Sequence, residues 1–255
     1  MPKFAANLSM LFTERPFLDR FGAAAEAGFK GVEFLFPYDF EAGQIADCLK
    51  THGLRQALHN LPAGDWSAGE RGIACLPDRV GEFQDGVGKA ITYAKALGCP
   101  KVNCLAGKLP PDMDRTTARE TLVANLRFAA TELKKAGVML VVEAINTADI
   151  PGFFLSNTTQ TLGVLDEVGS DNVFYQYDIY HMQRMEGELA GTLKANIGRI
   201  GHIQLADNPG RHEPGTGEIN YDFLLPYIDT LGYDGWIGCE YVPAEGLGWM
   251  QRFAA

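Results

Sequence analysis

The sequence has few cysteines, and their arrangement is not typical of a disulfide framework. The five cysteines, Cys48, Cys75, Cys99, Cys104 and Cys239, are odd in number and include no CxxC pair. Secreted domains that depend on disulfides usually carry an even set, so this pattern favours free thiols and a cytoplasmic location. A chain of 255 residues can also bury a core that is large enough to fold without such cross-links.

Long hydrophobic runs and an excess of positive charge are also absent. No stretch reaches the roughly 18 apolar residues that suggest a membrane span. Residues 1–12 carry one lysine and only a short, interrupted apolar run, so we expect neither a membrane segment nor a signal peptide. The formal net charge of -10 argues against nucleic acid as a partner, because it repels phosphate backbones. A small anionic substrate stays compatible with this charge, since a local group of Arg and Lys can still bind it.

Several motifs that would point to other chemistry are missing. The segment Asn7-Leu8-Ser9-Met10, after the first predicted strand, lacks the glycines of a dinucleotide-binding turn. The chain contains no P-loop and no Ser-His-Asp series at a plausible spacing for a triad. With 46% hydrophobic and 21% charged residues, the composition is that of an ordinary globular protein.

Short β-rich runs alternate with longer helical runs along the whole chain. The clearest strand, residues 138–143, is a continuous apolar run that ends in a glutamate, which is typical of a strand buried on both faces. The helix before it is predicted to start near Thr117, where Thr117–Glu120 has the pattern of a capping box. Eight such βα units in about 250 residues predict an α/β fold, a single-domain (β/α)₈ TIM barrel over residues 1–255. A doubly wound open sheet is the alternative, but it seldom needs eight regular units.

Polar residues stand at the ends of the predicted strands, where barrel enzymes place their catalytic groups. They are Asn7, Glu33, His59, Asn103, Glu143, Asp178, Gln204 and Glu240. The last four follow consecutive strands and offer only oxygen ligands, which Mg²⁺ and Mn²⁺ prefer. A cation would also relieve the repulsion between carboxylates at the barrel mouth. These four residues therefore predict a divalent metal site; the alternative for each one alone is a solvated polar group.

Other candidates lie on loops at the same end of the predicted barrel. His181, three residues after Asp178, is placed to hydrogen-bond a substrate oxygen. Arg71, Lys108 and Arg211 are candidates to bind a substrate carboxylate, and Arg71 is favoured. A solvated surface charge is the usual alternative for such residues. The three tryptophans, Trp66, Trp236 and Trp249, are interpreted as packing residues.

At these positions the sequence resembles the hydroxypyruvate isomerase family, within the xylose isomerase-like barrel superfamily. The resemblance covers essentially the whole chain, and its most specific part is the stretch from His59 to Leu76, HNLPAGDWSAGERGIACL. The other segments that carry it are 4–12, 31–34, 142–146, 177–189, 213–221 and 238–241. It implies that Glu143, Asp178, Gln204 and Glu240 bind the metal, and that both glutamates also act as acid and base. Related ketose 3-epimerases have a histidine where this chain has Gln204.

The resemblance implies an enzyme that interconverts hydroxypyruvate and tartronate semialdehyde through an enediolate, with His59 among the substrate-binding residues. A 2-oxo-tetronate isomerase or a ketose 3-epimerase is the nearest alternative. A DNA repair phosphodiesterase of the same fold is disfavoured by the net charge of -10. A non-catalytic sugar-acid binding protein would not need two proton carriers. A homo-oligomer is compatible with the fold, but the residues do not decide this point.

Overall fold

A closed barrel of eight parallel strands forms the centre of the molecule. The structure is a computed structural model that describes residues 2–253, so Met1, Ala254 and Ala255 of the predicted domain lie outside the described residues. The strands are β1 (Lys3–Asn7), β2 (Gly31–Glu33), β3 (Arg55–Asn60), β4 (Lys101–Cys104), β5 (Met139–Glu143), β6 (Val173–Asp178), β7 (Ile200–Leu205) and β8 (Trp236–Cys239). They pair in chain order and β8 pairs with β1, which confirms the predicted TIM barrel.

Helices follow the strands and cover the outside of the barrel. They are α1 (Arg20–Glu26), α2 (Ala42–His52), α3 (Val80–Leu97), α4 (Arg115–Lys135), α5 (Thr158–Val168), α6 (Ile179–Met185), α7 (Leu189–Asn196) and α8 (Tyr221–Thr230). Short 3₁₀ helices span Phe17–Asp19, Pro77–Arg79, Ile197–Arg199 and Gly248–Phe253. Among the described residues, no helix is both long enough and apolar enough to cross a membrane.

Two helix starts differ from those that the sequence predicts. Helix α4 begins at Arg115, two residues earlier than expected, because Asp114, and not Thr117, accepts a backbone N–H in the first turn at 2.9 Å. Helix α6 was not predicted at all. It begins directly after β6, where Asp178 Oδ1 accepts the backbone N–H groups of Tyr180 and His181. His181 therefore lies in the first turn of a helix and not in a loop.

The interior of the barrel is polar near the carboxyl ends of the strands. Most barrel interiors are filled by branched apolar side chains. Here the buried side chains include Asn7, Glu33, Asn60, Asn103, Glu143, Gln176, Asp178, His202 and Gln204, each no more than 4% exposed. Burying so many polar groups is costly unless they bond to one another or to a ligand. This end of the barrel is therefore the candidate functional site.

Candidate active site

A cavity of about 240 Å³ opens at the carboxyl ends of the strands. Its lining residues are Met10, Leu35, Asn60, Trp66, Leu105, Glu143, Ile145, Ile150, His181, Arg211 and Glu240. Pockets for drug-sized ligands usually measure roughly 300–1,000 Å³, so this one suits a smaller molecule. An apolar wall with a few convergent polar groups is the usual composition of a small-molecule site.

A larger groove of about 680 Å³ lies at the opposite end of the barrel, between the start of β1 and the 3₁₀ helix Gly248–Phe253. None of its lining residues in the described part of the chain is a carboxylate or a histidine. The smaller cavity is therefore the better candidate for acid–base chemistry, even though it has less volume.

The two glutamates of the cavity come from strands that are not neighbours. Glu143 ends β5 and Glu240 follows β8, and β6 and β7 lie between these strands in the closed barrel. Glu143 accepts a hydrogen bond from Asn103 Nδ2 at 3.1 Å, and Glu240 accepts one from Arg211 Nη2 at 3.0 Å. The carboxylates thus enter one cavity from different sides, each held by a separate partner.

Burial and mutual repulsion make both glutamates weaker acids than usual. Burial, reinforced by the charges of Glu240 and Asp178, raises the pKa of Glu143 well above its usual range. Burial likewise raises the pKa of Glu240 to about 8, although the charge of the Arg211 guanidinium opposes the change. A carboxyl group whose pKa lies near neutrality, as that of Glu240 does, is suited to both accepting and giving up a proton at physiological pH.

Asp178 has one oxygen bound and one without a partner. Its Oδ1 accepts the two N–H groups at the start of α6, whereas Oδ2 is buried and has no hydrogen bond. Arg211 Nη2 lies 3.8 Å from this free oxygen. An ionised oxygen that is buried and unpaired is costly, and a cation supplies the missing partner. The donor set around Asp178 therefore fits a hard metal ion.

Glu143, Asp178 and His181 bring three potential ligand atoms close together. Each offers one ligand atom, and these atoms lie within 4.8 Å of one another. Gln204 is the register partner of Asp178 on β7, but its amide is bonded on both sides, to Gln176 and to Glu33. Asp178 thus lies beside Glu143 and His181, and the Gln204 backbone is its partner on β7.

The tautomer of His181 is set by Asn146. The Oδ1 atom of Asn146 accepts the backbone N–H groups of Ala148 and Asp149, so its Nδ2 is the atom that faces His181 Nδ1 at 2.7 Å. Nδ1 therefore accepts, and in the neutral ring Nε2 carries the hydrogen. Burial lowers the pKa of His181 to about 3, which keeps the ring neutral. A protonated Nε2 is a hydrogen-bond donor and not a metal ligand.

Of the cations predicted to bind a substrate carboxylate, the structure brings only Arg211 to the cavity. Arg71 stacks on the ring of Trp66, with its guanidinium 4.0 Å from the ring centroid, and donates to the carbonyls of Trp66 and Glu70. Lys108 is exposed and pairs through its backbone with Phe153. In this structure neither Arg71 nor Lys108 lines the cavity, although Arg71 contacts Trp66, which does.

His59 also lies away from the cavity. Its ring is fully buried beside Tyr38, with a centroid distance of 6.3 Å, and Ala90 of α3 is a backbone neighbour. Strand alternation turns the next residue, Asn60, into the barrel, where it lines the cavity and accepts a hydrogen bond from Asn103 at 3.2 Å. The polar side chain that β3 contributes is Asn60, one position beyond the predicted one.

Trp66 and Asn146 were not identified as site residues from the sequence. Trp66, interpreted as a packing residue, is 37% exposed and lines the cavity. Asn146 is fully buried and contacts two residues of the cavity lining, through its side chain to His181 and through its carbonyl to the Ile150 N–H. A signal for Asn146 does exist in the sequence: it lies three residues after Glu143, in the loop that leaves β5.

Comparison with known proteins places this fold and site in a family. Residues 21–253 match the family described as xylose isomerase-like TIM barrel. The chain is 55% identical to the hydroxypyruvate isomerase of Escherichia coli K12, over 99% of this chain and 100% of that protein. It is 49% identical to the 2-oxo-tetronate isomerase of Cupriavidus necator, over 99% of each chain. A solved structure from Brucella melitensis, described as an AP endonuclease of family 2, is 46% identical with a TM-score of 0.97 over 100% of both chains. The chain therefore belongs to the hydroxypyruvate isomerase family of xylose isomerase-like TIM barrels.

Proposed function

We propose that the chain is a hydroxypyruvate isomerase, which interconverts hydroxypyruvate and tartronate semialdehyde by moving a proton between adjacent carbons. The observation that carries this proposal is the pair of buried carboxylates, Glu143 and Glu240, which face one small cavity from different sides. The 55% identity to a hydroxypyruvate isomerase over nearly the full chain supports the choice of substrate.

We assign metal binding to Glu143, Asp178, Gln204 and Glu240, with Mg²⁺ or Mn²⁺ as the ion. All four offer oxygen ligands, and the unpaired Oδ2 of Asp178 supports a bound cation. When bound, the ion supplies positive charge that stabilises the negative charge developing on the substrate oxygens. His181 is left out of the ligand set because its Nε2 carries the hydrogen.

The acid–base step is divided between the two glutamates. One removes the proton from C3 of hydroxypyruvate, and the other delivers a proton to C2 from its own side of the cavity. The hydroxyl hydrogen on the C3 oxygen moves to the C2 oxygen, so that C3 becomes the aldehyde and C2 carries the hydroxyl. The roles of the two glutamates reverse in the opposite direction. His181 Nε2–H donates to a substrate oxygen, and Arg211 binds the substrate carboxylate. In the structure Arg211 also bonds to Glu240, so the same guanidinium links the carboxylate site to one proton carrier.

A 2-oxo-tetronate isomerase is the second candidate, because a protein of that name is 49% identical over 99% of this chain. The proton transfer would be the same, and the substrate would be one carbon longer. We further propose that the chain forms one domain, acts in the cytoplasm and binds neither membranes nor nucleic acid. The five free cysteines and the net charge of -10 support these assignments.

Proton NMR in D₂O tests the function directly. The purified protein is incubated with hydroxypyruvate or with a 2-oxo-tetronate, each with and without EDTA. We expect tartronate semialdehyde to form from hydroxypyruvate, deuterium to enter its carbon skeleton, and EDTA to abolish both. Turnover of the four-carbon substrate alone would support the second candidate. No turnover of either substrate in the presence of Mg²⁺ or Mn²⁺ would refute both.

A further inference from the structure

A buried hydrogen-bond network centred on Glu33 lies below the proposed metal ligands. Its Oε1 accepts hydrogen bonds from Asn7 Nδ2 at 3.0 Å and from Gln204 Nε2 at 2.8 Å. Its Oε2 lies 2.7 Å from His202 Nε2. Glu33 and His202 are fully buried, and neither lines the cavity. The proposed mechanism gives these residues no role, so their contacts need another explanation.

The backbone of β8 is shaped to admit the Glu33 carboxylate. A Cβ atom at Gly238 would lie 2.3 Å from both carboxylate oxygens, which is far closer than atoms can approach. Glycine at this position therefore leaves the space in which the carboxylate sits. Three polar side chains therefore bond to the Glu33 carboxylate inside the barrel, and the missing side chain at Gly238 of β8 leaves room for it.

Glu33 determines the orientation of the Gln204 side-chain amide, that is, whether its oxygen or its nitrogen points toward β6. A carboxylate accepts hydrogen bonds and does not donate them, so the Gln204 atom that faces Glu33 must be nitrogen. The carbonyl oxygen then points away from Glu33 toward β6, where Gln176 Nε2 donates to it at 2.6 Å. A carbonyl oxygen has two lone pairs, and one is left for a metal ion. Asp178, the register partner of Gln204, lies on that same strand.

We propose that Glu33 is a positioning residue, which holds the Gln204 amide so that its oxygen, and not its nitrogen, faces the metal ion. The inference rests on the ligand set given under the proposed function. Without an acceptor at Glu33, the amide can rotate and present its NH₂ group to the ion, which repels it. Removal of a group that orients a metal ligand in this way typically lowers the metal affinity by about 10–100-fold.

Binding of Mn²⁺ alone, measured by electron paramagnetic resonance, tests this role without relying on activity. Glu33→Met fills a similar volume but offers no carboxylate acceptor, and we expect Mn²⁺ affinity to fall about 10–100-fold. Glu33→Gln restores an acceptor oxygen, and we expect an affinity within severalfold of that of the unsubstituted protein. Asn125→Leu removes a buried polar group in the helix layer and serves as the control, with no expected change in Mn²⁺ binding.

Two further variants keep the proposal falsifiable. Gly238→Ala leaves Glu33 in the chain but displaces its carboxylate, so it should weaken Mn²⁺ binding as Glu33→Met does, even if the latter fails to fold. Gln204→Ala tests the ligand set itself. Unchanged Mn²⁺ affinity in Gln204→Ala would refute that ligand assignment, and the inference with it. Weaker binding in Gln204→Ala but unchanged binding in Glu33→Met and Gly238→Ala would refute the positioning role alone. Equal losses in Glu33→Met and Glu33→Gln would also refute it, since the acceptor would then not be what matters.

Discussion

Asn146→Asp should reverse the tautomer of His181 without a change in side-chain shape. In the structure the Asn146 amide donates to Nδ1, which leaves the hydrogen on Nε2, facing Glu143 at 3.9 Å and Asp178 at 3.7 Å. An aspartate at position 146 can only accept, so it draws a hydrogen to Nδ1. The Nε2 atom then either loses its hydrogen or, if the ring takes a second proton, belongs to a charged imidazolium.

The expected loss of kcat is about two- to tenfold. A net hydrogen bond is worth about 0.5–1.5 kcal/mol, and about 1.4 kcal/mol corresponds to a factor of ten in rate. The bond in question forms between His181 Nε2–H and a substrate oxygen that gains negative charge, so its loss should affect kcat more than KM. Nitrogen-15 NMR of labelled protein reports directly which ring nitrogen carries the hydrogen.

Asn157→Asp is the matched control for this experiment. It makes the same change at the N-cap of α5, where the side chain only accepts a hydrogen bond from Gln160 N–H. We expect it to keep full activity and an unchanged His181 spectrum. The reasoning is refuted if Asn146→Asp retains the hydrogen on Nε2 together with full kcat, or if the tautomer reverses while kcat stays the same.

Three other predictions follow from the same structure. Glu143→Gln and Glu240→Gln should each lower kcat about 10²–10⁴-fold, because each removes a proton-transfer group; near-full activity in either variant with Mn²⁺ still bound would contradict its assignment. Burial lowers the pKa of His59 from 6.5 to about 4, so the unfolded chain binds the extra proton and stability falls as pH drops from 6.5 toward 4. In urea denaturation at pH 6.5 and pH 4, the His59 protein should lose up to roughly 3 kcal/mol of its free energy of unfolding through this proton. His59→Gln should remove that loss, whereas the same change at the exposed His52 should not. Asp114→Ala should cost about 1 kcal/mol of stability through the lost N-cap of α4, with no change in kcat.

The barrel, and the strand-end positions of the residues that we assign to the metal, could be predicted because both depend on local pattern. Each βα unit has its own apolar run and helical period, and the carboxyl end of each strand in a barrel is a known site of chemistry. Glu143, Asp178 and Glu240 follow strands whose ends the sequence marks clearly. Their positions in the structure match the predicted strand ends within one residue.

The position of His59 shows why strand ends alone do not identify the residues that line the cavity. Side chains alternate between the two faces of a strand, so a shift of one residue moves a side chain from the barrel interior to the helix layer. Strand β3 continues to Asn60, and its pairing with β2 shifts register between Val32 and Glu33. The sequence carries no mark of that shift, and His59 was chosen over its neighbour.

Contacts within and between the loops are the other part that the sequence does not reveal. Arg71 appears free in the sequence, but in the structure it stacks on Trp66 and donates to two loop carbonyls. Arg211 appears to be one more loop cation, yet it reaches Glu240 and approaches Asp178. Which cation enters the cavity depends on how the loops fold over the barrel, and no periodic pattern encodes that.

The division of proton transfer between Glu143 and Glu240 is the central claim, and hydrogen exchange in the two single variants tests it most directly. Glu143→Gln and Glu240→Gln are each incubated with hydroxypyruvate, and separately with tartronate semialdehyde, in D₂O with Mn²⁺ bound. Proton NMR follows exchange at C3 of the first compound and at C2 of the second. We predict complementary behaviour: one variant exchanges only the C3 proton, the other only the C2 proton, and neither interconverts the two compounds at an appreciable rate. Interconversion near the normal rate in either variant, or loss of exchange at the same carbon in both, would contradict the account.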